Sequence, residues 1–119
     1  MRLVIVESPY AGDVELNVAY ARAAVLDCLE RGEAPFASHL LYTQQRILDD
    51  GRPYDRHRGI SAGLAWGQVA HATVVYTDLG ITRGMLEGIH MAEQQGRRVE
   101  RRTLPAWIAE HVTMNARRA

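Results

Sequence analysis

The segment ATVVYTDLGITRGMLE, residues 72–87, predicts a buried strand, a short loop and the start of a helix. Residues 72–77 are rich in β-branched side chains, which favour strands. Asp78–Ile81 contains a glycine that suits a tight turn. Thr82 is a good N-cap for a helix that we expect to run to about Gln95. A strand that passes through a short loop into a helix is typical of α/β proteins.

The rest of the chain continues this alternation. The apolar run Arg2–Glu7 is followed by turn residues and predicts a buried first strand. Asp13 can cap a helix over about Val14–Arg31, and Gly32 can end it. The remaining predicted elements are a short strand at Ala34–Ser38, a helical turn or short helix at Leu40–Leu48, a helix at Asp55–His71, a strand at Arg98–Thr103 and a helix that opens at Pro105.

This order predicts one domain over residues 1–119 with a Rossmann-like (flavodoxin-like) α/β fold, in which a mostly parallel sheet carries helices on both faces. Ligands of such sheets bind at the carboxyl ends of the strands, near the point where the strand order reverses. Three segments should therefore meet in one cleft: Ser8–Asp13, Ser38–Tyr42 and Asp78–Glu87.

Composition restricts the functional classes. Of the 119 residues, 47% are apolar and 24% charged, which is close to the average of globular proteins. Fourteen basic residues balance fourteen acidic ones, and this neutrality disfavours binding to a DNA or RNA polymer. All the basic residues are arginine, so no lysine is available for a Schiff base or a P-loop.

The single cysteine, Cys28, excludes an internal disulfide and a cysteine-based zinc site, and its apolar neighbours predict a buried thiol. Four histidines show no metal-ligand spacing: His57, His71, His90 and His111. We expect neither a metal nor a cofactor. The N-terminal apolar run is too short for a signal peptide and no run approaches a membrane span, so we expect a cytoplasmic protein that does not contact membranes.

Polar residues follow the first predicted strand. The exposed backbone of Ser8-Pro9-Tyr10 and the ring of Tyr10 suit a planar base or a sugar. The alternative is that the Tyr10 ring only covers the sheet edge. Asn17 lies one turn into the next helix, where its amide would reach the same cleft or stay solvated. These residues are candidate ligand contacts.

The second and third strands are followed by further candidates. Ser38, His39 and Tyr42 place hydroxyls and an imidazole after the second strand, although a lone histidine is more often structural. After the third strand, N–H groups at the helix start favour oxygen-rich ligands, with an ordinary capped loop as the alternative. The candidates there are Asp78, Gly80, Thr82, Gly84, Met85 and Glu87.

Two further groups are expected to have structural roles. The arginines around the fourth strand predict a solvated edge that discourages aggregation, with phosphate binding as the alternative; they are Arg97, Arg98, Arg101 and Arg102. Trp66 is expected in the core or at a contact between subunits. We expect a homo-oligomer that associates through the Asp55–His71 helix or the C-terminal helix, with Trp66 or Trp107 exposed there.

Together these segments resemble the nucleoside 2-deoxyribosyltransferase superfamily, and more closely its small phage and actinobacterial members. The resemblance covers about residues 2–104. Its matching pieces are Ser8–Gly12 with Asn17, Ala37–Tyr42, Asp78–Met85, and Glu87–Gly96 with Val99-Glu100.

The resemblance implies a glutamate nucleophile at the start of the helix after the third strand. In those enzymes the carboxylate attacks the anomeric carbon of a nucleoside, the base leaves with help from an acidic residue, and water or a second base takes the sugar. Carried over, Glu87 is the nucleophile, Asp78 the acid or base-binding group, and Tyr10 and Asn17 contact the ligand. Leu86 departs from the pattern, because the enzymes place the glutamate directly after a Gly-Met-like step.

We therefore expect a protein that binds a nucleoside or nucleotide, with an N-glycosidase or deoxyribosyltransferase activity if Glu87 faces the cleft. One alternative is a non-catalytic binder, such as a phage sponge that sequesters a nucleotide-derived immune signal. The other is a structural or interaction protein whose cleft is vestigial.

Overall fold

The computed structural model describes the backbone of residues 1–118 and the side chains of residues 1–112. Within these residues strands and helices alternate as predicted. Their bounds are β1 Arg2–Glu7, α1 Val14–Glu30, β2 Glu33–Phe36, α2 Ser38–Leu41, α3 Pro53–Gly67, β3 Ala72–Tyr76, α4 Arg83–Gln94, β4 Arg98–Arg102 and α5 Pro105–Arg118.

The predicted helix starts are confirmed where a capping side chain marks them. The Leu16 N–H donates to Asp13 Oδ1 at 3.2 Å, and the Met85 N–H donates to Thr82 Oγ1 at 3.3 Å. The helical turn or short helix predicted at Leu40–Leu48 is present as α2, which spans Ser38–Leu41, and the chain continues in turns after it. That segment has no cap and no sustained helical spacing to hold a longer helix.

The sheet is entirely parallel, in the order β2-β1-β3-β4. The chain moves from β1 outward to β2 and then returns to the other side of β1 to form β3. The strand order therefore reverses between β1 and β3, where Glu7 is in register with Val75. This arrangement confirms the doubly wound α/β fold and places its ligand-binding edge at the ends of these two strands.

Helices cover both faces of the sheet. Alternate strand residues on one face pack against α1 and α5, and the largest buried side chains there are Val4, Val6, Val74, Tyr76 and Tyr20. Cys28 lies in the same cluster as a buried free thiol, as predicted. On the other face Val75 packs against Met85 and Ile89 of α4.

Helix α3 approaches its neighbours most closely through glycines. A Cβ at Gly63 would lie 3.0 Å from Ser38 Oγ, and a Cβ at Gly67 would lie 3.0 Å from Arg97 Nη2. The helical spacing of Ile60 and Val69 predicts a buried face, but these side chains are 43% and 60% exposed. The glycines lie four residues apart on one side of the helix, so the backbone approaches closely there and larger side chains stay outside.

The prediction of a solvated arginine edge is correct for Arg98 and Arg101 and wrong for Arg97 and Arg102. Arg97 is partly buried and donates to Thr73 Oγ1 at 2.9 Å. Arg102 faces the α1–α5 layer, where a guanidinium is stable only if acidic partners neutralise it.

One partner, Glu33, comes from the opposite edge strand of the sheet, and the other, Glu100, comes from β4 itself. Arg102 donates to both carboxyl oxygens of Glu33 at 2.8 Å and to Glu100 at 3.1 Å, and Arg2 also donates to Glu33 at 3.1 Å. The hydrogen bonds from Arg102 lower the pKa of Glu33, and the hydrogen bond from Arg2 lowers the pKa of Glu100. This ion-pair network joins the two edge strands across the α1 face.

Replacement of Arg102 by alanine should therefore be strongly destabilising. The change leaves the buried Glu33 without its bidentate partner, and we expect the free energy of unfolding to fall by about 3–5 kcal/mol in urea titrations. Arg101→Ala removes an exposed arginine from the same strand and should change it by no more than about 0.5 kcal/mol. Equal effects of the two substitutions would show that the network is energetically unimportant.

Candidate functional site

A hydrogen bond between Ser8 and His39 joins the ends of β1 and β2. Ser8 Oγ lies 2.7 Å from His39 Nε2, and Ser8 is buried. Burial lowers the pKa of His39 to about 4, so the imidazole is neutral at pH 7. A neutral ring carries one donor and one acceptor nitrogen and can exchange a hydrogen bond with the serine hydroxyl. The first and second predicted segments are thus brought together.

Asn17 holds the loop between β1 and α1. Its side-chain amide donates to the backbone carbonyls of Tyr10 and Ala11, each at 3.0 Å, and the residue is buried. The amide nitrogen that was a candidate ligand contact is therefore used to fix the loop. These hydrogen bonds hold Tyr10 in place. Pro9, in the same loop, is buried.

A cavity of about 700 Å³ opens beside this loop. Its other wall is segment 43–51, which follows α2. The lining residues are Tyr10–Gly12, Val14, 43–51 and Asp55. The three predicted segments share the carboxyl edge of the sheet, but only Ser8–Asp13 contributes to the lining of this cavity. Residues 38–42 and 78–87 do not line it, so this cavity is not the cleft predicted from all three segments.

The charged groups of the cavity wall are mostly acidic. Asp49, Asp50 and Asp55 line it together with one cation, Arg46. The Asp49 N–H donates to Asp55 Oδ2 at 3.1 Å, which links the segment to the first turn of α3. Arg46 has a φ of 69°, a conformation that is uncommon for residues with a side chain. Strained residues of this kind cluster at ligand sites.

Asp78 joins three parts of the fold. Its Oδ2 accepts hydrogen bonds from the Tyr20 hydroxyl and from the Leu104 N–H, each at 2.7 Å, while its own N–H donates to the Tyr20 hydroxyl at 3.0 Å. Burial and the bond to Asp78 raise the pKa of Tyr20. The carboxylate is thus occupied by contacts that tie α1 and the β4–α5 connection to the end of β3.

Glu87 lies on the solvent side of α4. Its side chain is 59% exposed, and a carboxyl oxygen lies 3.8 Å from Arg83 Nε. The next residue, Gly88, is the one that approaches the sheet, because one residue along a helix rotates the side chain by about 100°. The role of Glu87 as a nucleophile stays a prediction.

The other candidates on this side of the sheet have local roles. Gly80 has a φ of 90° and forms the tight turn after β3, and Thr82 caps α4. Met85 is buried in the α4 core, whereas Gly84 is exposed beside the cap. On the β2 side, Tyr42 packs against Phe36 with ring centroids 5.9 Å apart. None of these positions borders the cavity beside Tyr10.

Glu7 is a polar group that the sequence analysis missed. It ends β1 and faces α4, where a Cβ on Gly88 would collide with both of its carboxyl oxygens. Burial raises the pKa of Glu7 to about 8, although the charge of Arg97 acts in the opposite direction. The feature of the sequence that could have revealed Glu7 is an acidic residue at the end of a mainly apolar strand.

Within the described residues, no group of three or more His, Cys, Asp or Glu side chains is arranged to hold a metal ion. None of the helices described here is both long enough and apolar enough to cross a membrane.

Comparison with known proteins finds this fold in a solved enzyme structure. A solved structure of a 2-deoxyribosyltransferase from the psychrotolerant bacterium Bacillus psychrosaccharolyticus has a TM-score of 0.61 and 17% sequence identity, over 85% of this chain and 72% of that one. The chain shares the fold of that enzyme. It belongs to the family described as "Domain of unknown function (DUF7768)", whose model matches residues 2–102. No curated protein matches the sequence.

Asp78→Ala should destabilise the fold, because it leaves the Tyr20 hydroxyl and the Leu104 N–H without their acceptor. We expect the free energy of unfolding to fall by about 1–3 kcal/mol in chemical denaturation. Glu87→Ala, an acidic residue at an exposed position, should change it by about 0.5 kcal/mol or less. An Asp78 variant as stable as the wild type would contradict a structural role for this carboxylate.

Proposed function

We propose that the protein binds a nucleoside in the cavity between the β1–α1 loop and segment 43–51. The observation that carries the proposal is a cavity of about 700 Å³ at the carboxyl edge of the sheet, with an aromatic ring on one wall and carboxylates on the other. Ligand pockets commonly enclose about 300–1,000 Å³. The fold shared with a 2-deoxyribosyltransferase supports the same class of ligand.

The wall chemistry favours a nucleoside over its phosphorylated forms. Tyr10 offers a ring on which a base can stack, and base–aromatic stacking contributes about 1–3 kcal/mol. Asp50 and its acidic neighbours suit sugar hydroxyls and exocyclic amino groups, which donate hydrogen bonds. The same carboxylates repel a phosphate, against which Arg46 is the only cation of the described cavity wall.

A second candidate function is capture of the ligand without turnover, as in a sponge for a nucleotide-derived signal. The supporting observation is the position of Glu87, which is exposed and close to Arg83. Catalysis through Glu87 would require the helix to rotate or the side chain to leave this position. Release of free base from an intact nucleoside separates the enzyme from the binder.

Tyr10→Ala should weaken nucleoside binding by about 5- to 150-fold, because the loss of one stacking platform corresponds to roughly 1–3 kcal/mol. Calorimetric titration with adenosine, deoxyadenosine and AMP measures the effect and the preference against phosphate. Tyr54→Ala is the matched control, because Tyr54 is 73% exposed and does not line the cavity. Equal affinities of both variants, or tighter binding of AMP than of adenosine, would contradict this description of the site.

We also propose that the protein is a homo-oligomer that associates through α3. Trp107 packs against Tyr20 with ring centroids 5.3 Å apart, so it belongs to the core. Trp66 is 53% exposed and lies 5.4 Å from the Phe36 ring, beside edge strand β2. Exposed clustered aromatic residues are typical of subunit contacts.

Light scattering should give a mass above the 13.3 kDa of one chain. Trp66→Glu should shift the wild-type assembly to monomer, because it places a charge at the centre of an apolar contact. Leu86→Glu is the control, since Leu86 is 56% exposed on α4. A wild-type mass of one chain at micromolar concentration would contradict the proposal.

A further inference from the structure

A second cavity, of about 480 Å³, opens at the end of β4. Every residue that lines it is polar or charged: Arg31, Thr77, Glu100, Arg101, Arg102 and Thr103. Three arginines against one glutamate make an anion the complementary ligand. We propose that this arginine-lined cavity binds the phosphate group of a small phosphorylated sugar. The site is separate from the nucleoside cavity and does not depend on it.

The surrounding elements place this cavity at the ligand-binding edge of the sheet. Thr77 directly follows β3 and Thr103 directly follows β4, so both residues lie at the carboxyl ends of neighbouring parallel strands. Ligands of doubly wound sheets bind at this edge. Arg31, the C-cap residue of α1, adds an arginine from the helix layer. No residue lines both this cavity and the one beside Tyr10.

The carboxylates near the arginine-lined cavity are already occupied by donors of the chain itself. Both carboxyl oxygens of Glu33 accept from Arg102 at 2.8 Å, and Glu100 Oε2 accepts from Arg102 at 3.1 Å. Asp27 Oδ2 accepts from Arg31 Nε at 2.9 Å. The side chain of Arg102 is only 7% exposed, so the ion pairs fix a buried cation in the cavity wall.

Other donors of the wall have no acceptor within the described part of the chain. The ion pairs of β4 use Arg98 and Arg102 but not Arg101. Arg31 donates through Nε alone, which leaves both of its Nη groups available. A guanidinium presents its donors in a fixed fork that matches two oxygens of a phosphate. One anion with several acceptor oxygens therefore satisfies donors that the fold itself leaves without partners.

Size and lining favour a phosphorylated sugar over other anions. The cavity has far more space than a free phosphate ion fills, and its volume lies within the usual range of about 300–1,000 Å³ for ligand pockets. Because no aromatic or apolar side chain lines it, a base finds no stacking surface there. Sugar hydroxyls can donate to Glu100 and accept from Thr77. A phosphate monoester carries about −1.5 to −2 charge at pH 7, which suits several arginines better than a carboxylate does.

Calorimetric titration with ribose 5-phosphate, inorganic phosphate and ribose, at constant ionic strength, tests the proposal. The wild type should bind ribose 5-phosphate, should bind inorganic phosphate more weakly because the sugar contacts are missing, and should not bind ribose. Equal affinities for the two phosphates would overturn the assignment of a sugar phosphate. Absence of binding by both would overturn the site.

Substitution of single arginines locates the binding. Arg101→Ala should weaken the binding of ribose 5-phosphate about tenfold, because a hydrogen bond to a charged group is lost. Arg31→Ala should act in the same direction. Arg22→Ala is the matched control, since Arg22 is exposed on α1 and does not line the cavity. A control variant that weakens binding as much as Arg101→Ala would indicate general attraction between charges and overturn the proposal.

The two cavities are tested separately by crossing ligands and variants. Tyr10→Ala should leave the affinity for ribose 5-phosphate unchanged, and Arg101→Ala should leave the affinity for adenosine unchanged. Loss of ribose 5-phosphate binding in Tyr10→Ala would place the sugar phosphate in the nucleoside cavity and overturn this inference. Binding of ribose 5-phosphate but not of adenosine by the wild type would support this inference and contradict the proposed function.

Discussion

Parallel pairing on both sides of β1 is the constraint on which the rest of the molecule depends. The six residues Arg2–Glu7 form hydrogen bonds with β2 on one side and with β3 on the other. Because successive side chains of a strand point to opposite faces, the residues at the end of this one strand place side chains on both faces of the sheet. Ser8 meets His39 of α2, and Glu7 meets α4.

Two acidic residues show how differently the fold treats buried charge. Glu33 lies in a network with Arg2 and Arg102, which keeps it ionised and joins the edges of the sheet. For Glu7, burial raises the pKa to about 8, and the charge of Arg97 offsets only part of this effect. The buried carboxyl of Glu33, beside the start of β1, is therefore stabilised by its ion pairs. The carboxyl of Glu7, at the end of β1, has no such pairs, and its burial lowers the stability of the fold wherever it must ionise.

The elements that follow from local signals are predictable from the sequence. Asp13 and Thr82 mark their helices because a capping side chain acts within four residues, and the β-branched run of β3 favours a strand wherever it is buried. The doubly wound fold follows from the order of such elements.

Features set by distant contacts are not predictable in this way. The local sequence does not distinguish buried Arg102 from exposed Arg101, because the partner of Arg102 is Glu33, which is 69 residues away. The closest contacts of α3 are made at glycines, which no hydrophobic pattern reveals. The rotation of α4 about its axis decides that Gly88 rather than Glu87 faces the sheet. The cavity wall at residues 43–51 consists of turns, which have no repeating hydrophobic pattern.

Helix α3 connects two surfaces that are otherwise far apart. Asp55 in its first turn is part of the cavity wall, and Trp66 lies eleven residues later, about 16 Å along the axis. The helix backbone lies close to its neighbours at Gly63 and Gly67. A partner that contacts Trp66 would therefore contact the same helix that carries Asp55 of the cavity wall.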